Sequence, residues 1–93
     1  MNAIVVYDNI RDKELLDNIN LEVPFFVEYV NMNTTSGKRQ GTKIKYHWGA
    51  KLNPFIELYE NNEIIQVFYS EKGNACNQLI SYLNDPSKIQ EIK

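Results

Sequence analysis

Residues Trp48 to Asp85, WGAKLNPFIELYENNEIIQVFYSEKGNACNQLISYLND, carry the clearest fold signals of the chain. Within them, Phe55 to Glu60 and Ile64 to Tyr69 are two short apolar and β-branched runs flanking Asn61-Asn62. Asparagine tolerates the left-handed backbone that a tight two-residue turn requires, so the pair predicts an antiparallel hairpin. Asn53-Pro54 ahead of the first run forces extended geometry on the residue before proline and starts a strand there. Behind the hairpin, Asn74 or Gly73 opens a helix. Its Cys76, Leu79, Ile80 and Leu83 form one apolar stripe, and Asp85-Pro86 stops it.

Toward the N-terminus, Ala3-Ile4-Val5-Val6-Tyr7 is a continuous apolar run suited to a strand buried on both faces of a sheet. Asp8 and Asn9 are candidate caps for a helix over Ile10 to Ile19, with Leu15, Leu16 and Ile19 on one face. Val23 to Val30 is strand-like, with Pro24 at its start, where a missing amide hydrogen costs least. Strand, helix, strand predicts a parallel pair. Asn31 to Gly41 is polar and glycine-punctuated and reads as an exposed loop. From Thr42, TKIKYHWGAK predicts a short helix with Ile44 and Trp48 inward at i and i+4 and its lysines facing water. Ser87 and Gln90 have capping-box spacing for a last helical turn carrying Ile89 and Ile92.

This order of elements describes one α/β domain over residues 1–93, a βαβ unit, then a helix, an antiparallel hairpin and a C-terminal helix around a mixed sheet covered on both faces. Composition agrees with one packed core: 43% hydrophobic and 12% aromatic residues in 93, too little chain for a second core. No apolar run reaches the roughly 20 residues that span a bilayer, and MNAIVVYDNI lacks the pattern of a signal peptide. A cytoplasmic protein is expected. The abundance of Asn, Ile, Lys and Tyr hints at an AT-rich coding genome, such as that of a low-GC bacterium or its phage, in which case the setting is a host cytoplasm or a virion.

The segment WGAKLNPFIELYENNEII resembles the thioredoxin-like and glutaredoxin-like family pattern of aromatic, glycine, aliphatic and basic residues, then proline, strand, turn and strand. IVVY followed by KELLDNI is similar to that family's first strand and helix. The resemblance implies a thioredoxin-like fold with Pro54 at the cis-proline position. It also implies a sheet end that holds extended peptides, formed here by Asp8, Asn9, Ile10, Asn53 and Pro54. This chain departs from the pattern at the redox centre. Tyr7 is followed almost directly by DNIRDKELL, with no CxxC loop, and Asn53 replaces the usual apolar residue before the proline.

Overall charge is −2, yet no acidic residue lies between Tyr29 and Ile56. Five of the ten basic residues, Lys38, Arg39, Lys43, Lys45 and Lys51, fall in that window; the other five face all twelve acidic residues elsewhere, a net −7. Such asymmetry creates a local positive face on an acidic protein. The expected role is therefore a non-catalytic protein-interaction or assembly module that uses the basic segment and the Pro54 end. Two alternatives stand beside it. Nucleic acid or phosphate binding through residues 38–51 is one, with Tyr46 and Trp48 interleaved among the cations. A single-cysteine thiol oxidoreductase is the other.

The remaining chemistry-bearing residues point elsewhere. Cys76, the one cysteine, sits on the buried stripe of the last helix and reads as packing. His47 is the one histidine, and a zinc site needs about four donors, so no metal and no cofactor is expected. SGKRQGTK lacks the upstream glycine and the hydroxyl residue after Lys38 of a phosphate loop, and reads as solvated loop. The strand over 64–69, with aromatics among Phe55, Tyr59, Phe68 and Tyr69 nearby, offers a free edge for strand addition or self-association.

Overall fold

The computed structural model describes residues 1–8, 16–17 and 23–84. It shows a small α+β fold with strands β1 (Asn2–Tyr7), β2 (Phe26–Asn31), β3 (Phe55–Glu60) and β4 (Glu63–Phe68). Helix α1 (Thr35–Trp48) follows β2, and α2 (Ala75–Asn84) follows β4. The four strands form one mixed sheet in the order β2-β1-β3-β4. β1 runs parallel to β2 from Asn2↔Phe26 to Tyr7↔Asn31, antiparallel to β3 through Val6↔Phe55, and β3 pairs antiparallel with β4. Asn61 and Asn62 both take positive φ, 55° and 66°, as the hairpin turn requires. A register irregularity sits in the hairpin beside Leu58 and Tyr59.

Strand alternation sends side chains into two cores. Ala3, Val5 and Tyr7 of β1 join Ile56, Leu58 and Phe68 beneath Ala75, Cys76 and Leu79 of α2, and Leu16 completes this layer. Val6, Val30, Phe55 and Val67 form the opposite layer, against Ile44 and Trp48 of α1. Each face of the sheet is therefore covered by a helix, which is why the central strand β1 reads as an unbroken apolar run from Ala3 to Tyr7. The N-terminus of α2 is capped by Asn74, whose Oδ1 accepts from the amides of Cys76 (2.9 Å) and Asn77 (3.2 Å).

Three expectations need correction. β2 begins at Phe26 rather than Val23, because β1 opens at Asn2 opposite Phe26 and leaves residues 23–25 no strand to pair with; Pro24, lacking an amide hydrogen, lies exposed outside the ladder. The stretch from Thr35 to Gly41, expected as loop, is the first half of α1. Thr34 nucleates it: its extended backbone (φ −96°, ψ 157°) and its Oγ1, which accepts from Gly37 N–H at 3.0 Å, make an N-cap, while its hydroxyl donates to Asn31 O at 2.9 Å. Gly37 and Gly41, four residues apart, mark contact rather than flexibility. A Cβ on Gly37 would stand 1.9 Å from Asn31 O, and one on Gly41 2.9 Å from Val6 Cγ1. The helix also ends sooner than expected. Gly49 turns left-handed (φ 70°), and Gly49 N–H to Tyr46 O with Ala50 N–H to Lys45 O closes a Schellman motif.

Leu16 is buried and helical, and Tyr29 Oη donates to its carbonyl at 2.9 Å. The remainder of the helix expected over 10–19, with the cap residue Asn9, and the turn expected over 87–93 lie outside the described residues.

Candidate binding surface

Helix α1 carries no acidic residue, and its 3.6-residue period sorts its side chains by chemistry. Gly37, Gly41, Ile44 and Trp48 face the sheet. Thr35, Lys38, Arg39, Thr42, Lys43 and Tyr46, spaced by three and one along the chain, form the outward stripe and line a shallow open trough. Lys38, Arg39 and Lys43 are exposed, and Tyr46 is 87% exposed, a large aromatic ring held in water between the cations.

Lys45 does not point to water as expected. It is 9% exposed, and its Nζ donates to Asn53 Oδ1 at 2.8 Å and to Lys51 O at 3.3 Å. One turn above the helix C-terminus, its stem is covered by the segment that climbs from Gly49 to Pro54, so its charge is spent on fixing that segment. Lys51 is exposed, and its backbone N–H donates to Glu71 Oε2 at 2.6 Å. That hydrogen bond holds the Glu71 carboxyl below the ordinary carboxylate range. A second hollow, bounded by Met32, Lys45, Ala50 and Lys51, adjoins the trough, with Thr42 and Tyr46 lining both. The five basic residues thus lie along one continuous surface, but only Lys38, Arg39, Lys43 and Lys51 present exposed side chains.

The Pro54 end is built by register. Val6 pairs with Phe55, so Tyr7 and Asp8 continue alongside Pro54 and Asn53. Met32 N–H donates to Tyr7 O at 2.8 Å, and Asn33 Nδ2 donates to the carbonyl of Asp8. The Asn53-Pro54 bond is cis, Pro54 is buried, and its carbonyl accepts from Ser70 Oγ. Asn53 is half-buried with its oxygen taken by Lys45. Asp8 and Asn53 therefore frame one sheet end, while Asn9 and Ile10 lie outside the described residues.

Glu57, not singled out in the sequence, is the buried polar residue of the sheet at 5% exposure. Trp48 Nε1–H donates to its Oε2 at 2.6 Å and Tyr59 Oη to its Oε1 at 3.1 Å. Both oxygens are satisfied, and the C-terminal turn of α1 is tied to β3. Burial, then the adjacent Glu57 charge, pushes the Tyr59 phenol up to about 12. Tyr69, close behind, donates to Trp48 O at 3.1 Å, and burial raises its phenol too. The signal available was an acidic residue inside the otherwise apolar FIELY.

Cys76 is 1% exposed. His47 is exposed, with its ring edge-on to Trp48 at 5.0 Å. The SGKRQGTK segment is helix, not the solvated loop expected. Among the described residues no group of three or more His, Cys, Asp and Glu side chains could hold a metal, and no helix is long and apolar enough to cross a membrane. Of the hairpin aromatics, Phe55 and Phe68 are buried and Tyr59 and Tyr69 half-buried. What fold and surface define is a small α+β domain with a basic, aromatic-centred helix face. Comparison with protein-family profiles, curated proteins and solved structures gives no match.

Proposed function

We infer that this chain is a thioredoxin-like domain without a redox centre, and that it works by holding an acidic segment of a partner protein along the outward stripe of α1. The observation that carries the reading is the convergence of Lys38, Arg39 and Lys43 around exposed Tyr46 on a helix with no acidic residue. Clustered cations on one side of an acidic protein attract an acidic ligand and orient it. Tyr46 supplies rigid amphipathic contact area of the kind enriched at interface anchors. The strand order β2-β1-β3-β4, the parallel pair followed by an antiparallel hairpin, and the cis bond before Phe55 support the fold part of this reading. Burial of Cys76 counts against the single-cysteine redox alternative, because a reactive thiol must be reachable.

Exposed Tyr46 keeps nucleic acid as the second reading, since a ring in water can stack on a base. One titration separates the two. Labelled oligoglutamate and labelled oligothymidylate are each titrated by fluorescence anisotropy against wild type and against K38A/R39A/K43A. The acidic-protein reading expects oligoglutamate to bind more tightly at equal charge and the triple variant to lose at least ~10-fold, each exposed charge contributing up to about 1 kcal/mol. Preference for oligothymidylate, with a salt slope near −2 for three single-strand phosphate contacts, would transfer the site to nucleic acid. Equal binding by wild type and the triple variant would remove the stripe from either role.

A further inference from the structure

The outward face of α1 is ordered as a helix-packing seam. Thr35, Arg39, Thr42 and Tyr46 follow one another at steps of four, three and four, so they share one line along the axis, opposite the buried glycines. Lys38 and Lys43, both exposed, stand on either side of that line, about 140° apart around the axis at roughly 100° per residue. In heptad terms the line is an a/d seam, and the two lysines occupy the g and e positions that flank it. These six residues line a trough of about 610 Å³.

The two flanks differ beyond the first heptad. Seven residues after Lys38 the same flank reaches Lys45, whose ammonium is already held by Asn53 Oδ1 at 2.8 Å and Lys51 O at 3.3 Å. In place of an exposed cation, this flank opens into the second hollow, of about 250 Å³, with Met32 and Ala50 as its apolar wall and exposed Lys51 beside them. Thr42 and Tyr46 line both trough and hollow, so a ligand on the seam can send a side chain into the hollow without leaving α1.

We propose that the acidic segment held by α1 is itself an amphipathic helix, lying along the seam with carboxylates against Lys38, Arg39 and Lys43 and one large apolar side chain in the hollow beside Met32 and Ala50. The inference rests on the acidic-segment reading and adds the partner's shape and its apolar anchor. Pitch separates a helix from a strand. From Thr35 to Tyr46 the seam runs about 17 Å, so its four positions recur on average every ~5.5 Å, close to the turn of a second helix at about 5.4 Å. An extended segment places same-face side chains about 6.7 Å apart and falls roughly 4 Å out of step by the fourth. Cations on both flanks disfavour a second copy of α1, which would oppose lysine to lysine, and match carboxylates at the flanking positions of a different helix. The hollow, with its apolar wall, sets such a helix apart from a uniformly acidic one.

The test titrates labelled peptides of equal charge against the full chain by fluorescence anisotropy. One set holds its glutamates on a single helical face, is closed by a hydrocarbon bridge on the opposite face, and carries one leucine moved turn by turn along the acidic face. A second peptide has the same residues and bridge in shuffled order, and a third has the leucine changed to alanine. The best one-face peptide should bind at least ~10-fold more tightly than the shuffled one, and at least ~10-fold more tightly than its alanine counterpart, as burial of a leucine side chain allows. T42E, which sets a carboxylate at the exposed centre of the seam, should lose at least ~10-fold for that peptide, with a thermal melt confirming its fold. Equal binding of one-face and shuffled peptides would overturn the helical partner, no gain from leucine at any position would overturn the anchor, and unchanged binding by T42E would overturn the placement. In each of those cases oligoglutamate binding that the K38A/R39A/K43A variant loses leaves the acidic-segment reading standing. If wild type and the triple variant bind every peptide alike, oligoglutamate included, that reading fails and this inference with it.

Discussion

Replacing Gly37 by alanine should lower stability, although in a helix the same exchange ordinarily raises it by about 1 kcal/mol. The reason is local. A Cβ at this position would stand 1.9 Å from the carbonyl oxygen of Asn31 and 2.6 Å from Thr34 Oγ1, where carbon and oxygen normally keep about 3.3 Å apart. The obstacle at 1.9 Å is backbone of β2, which cannot rotate away as a side chain does. Relief requires the first turn of α1 to lift from the end of β2 by more than an ångström, and that movement breaks the Thr34 cap, worth about 1 kcal/mol. Overpacking of this kind costs roughly 1–3 kcal/mol. Set against the propensity gain, the net loss is about 2 kcal/mol, or roughly 8–16 °C in Tm for a domain of this size. Urea melts followed by the fluorescence of Trp48, the one tryptophan, and by far-ultraviolet dichroism would measure it. G41A is the internal comparison, because its obstacles are the side chains of Met32 and Val6. It should cost less, about 1 kcal/mol. A G37A protein as stable as wild type would refute the close docking of α1 against β2.

Three further outcomes follow from the same contacts. K45M should destabilise by about 1–3 kcal/mol, because it leaves Asn53 Oδ1 and Lys51 O without their shared donor, while K43M on the exposed stripe should stay within about 0.5 kcal/mol; paired urea melts decide it. Stability should fall as pH rises from about 10 to about 12, since the phenols of Tyr29 and Tyr59 are held near 12 in the fold against 10 when unfolded, so the unfolded chain gives up its protons first; melts across that range, with absorbance titration of the phenols, would show it. Y29F and Y59F should flatten the fall. Cys76 should react with a thiol reagent slowly in the native protein and fully in denaturant, and rapid native labelling would reopen the redox alternative.

The hairpin was the most legible part of the chain because its signals are local. Asn-Asn between β-branched runs fixes the turn, and Pro54 fixes the start of β3. The last helix was equally plain, since Cys76, Leu79, Ile80 and Leu83 repeat at helical spacing and Asn74 caps them. The start of α1 was hidden because Gly37 and Gly41 punctuate a polar stretch in the way loops do. Their four-residue spacing, in phase with Ile44 and Trp48, was the sign of a packed helix face, but the reason for glycine there is a strand end near in space and not in sequence. The same holds for Lys45 and Glu57. Lys45 looks like its solvated neighbours until the chain folds Asn53 back over it. Glu57 needs Trp48 and Tyr59 to become a satisfied buried carboxylate. The cationic stripe was legible as composition; its division into exposed Lys38, Arg39 and Lys43 and buried Lys45 required the helix to start at Thr35.

Whether the outward stripe of α1 holds an acidic segment is decided by the anisotropy titration of labelled oligoglutamate against wild type and K38A/R39A/K43A at matched salt. Wild type should bind saturably, more weakly as salt is added, and at least ~10-fold more tightly than the triple variant. Indistinguishable curves for the two proteins would contradict that role.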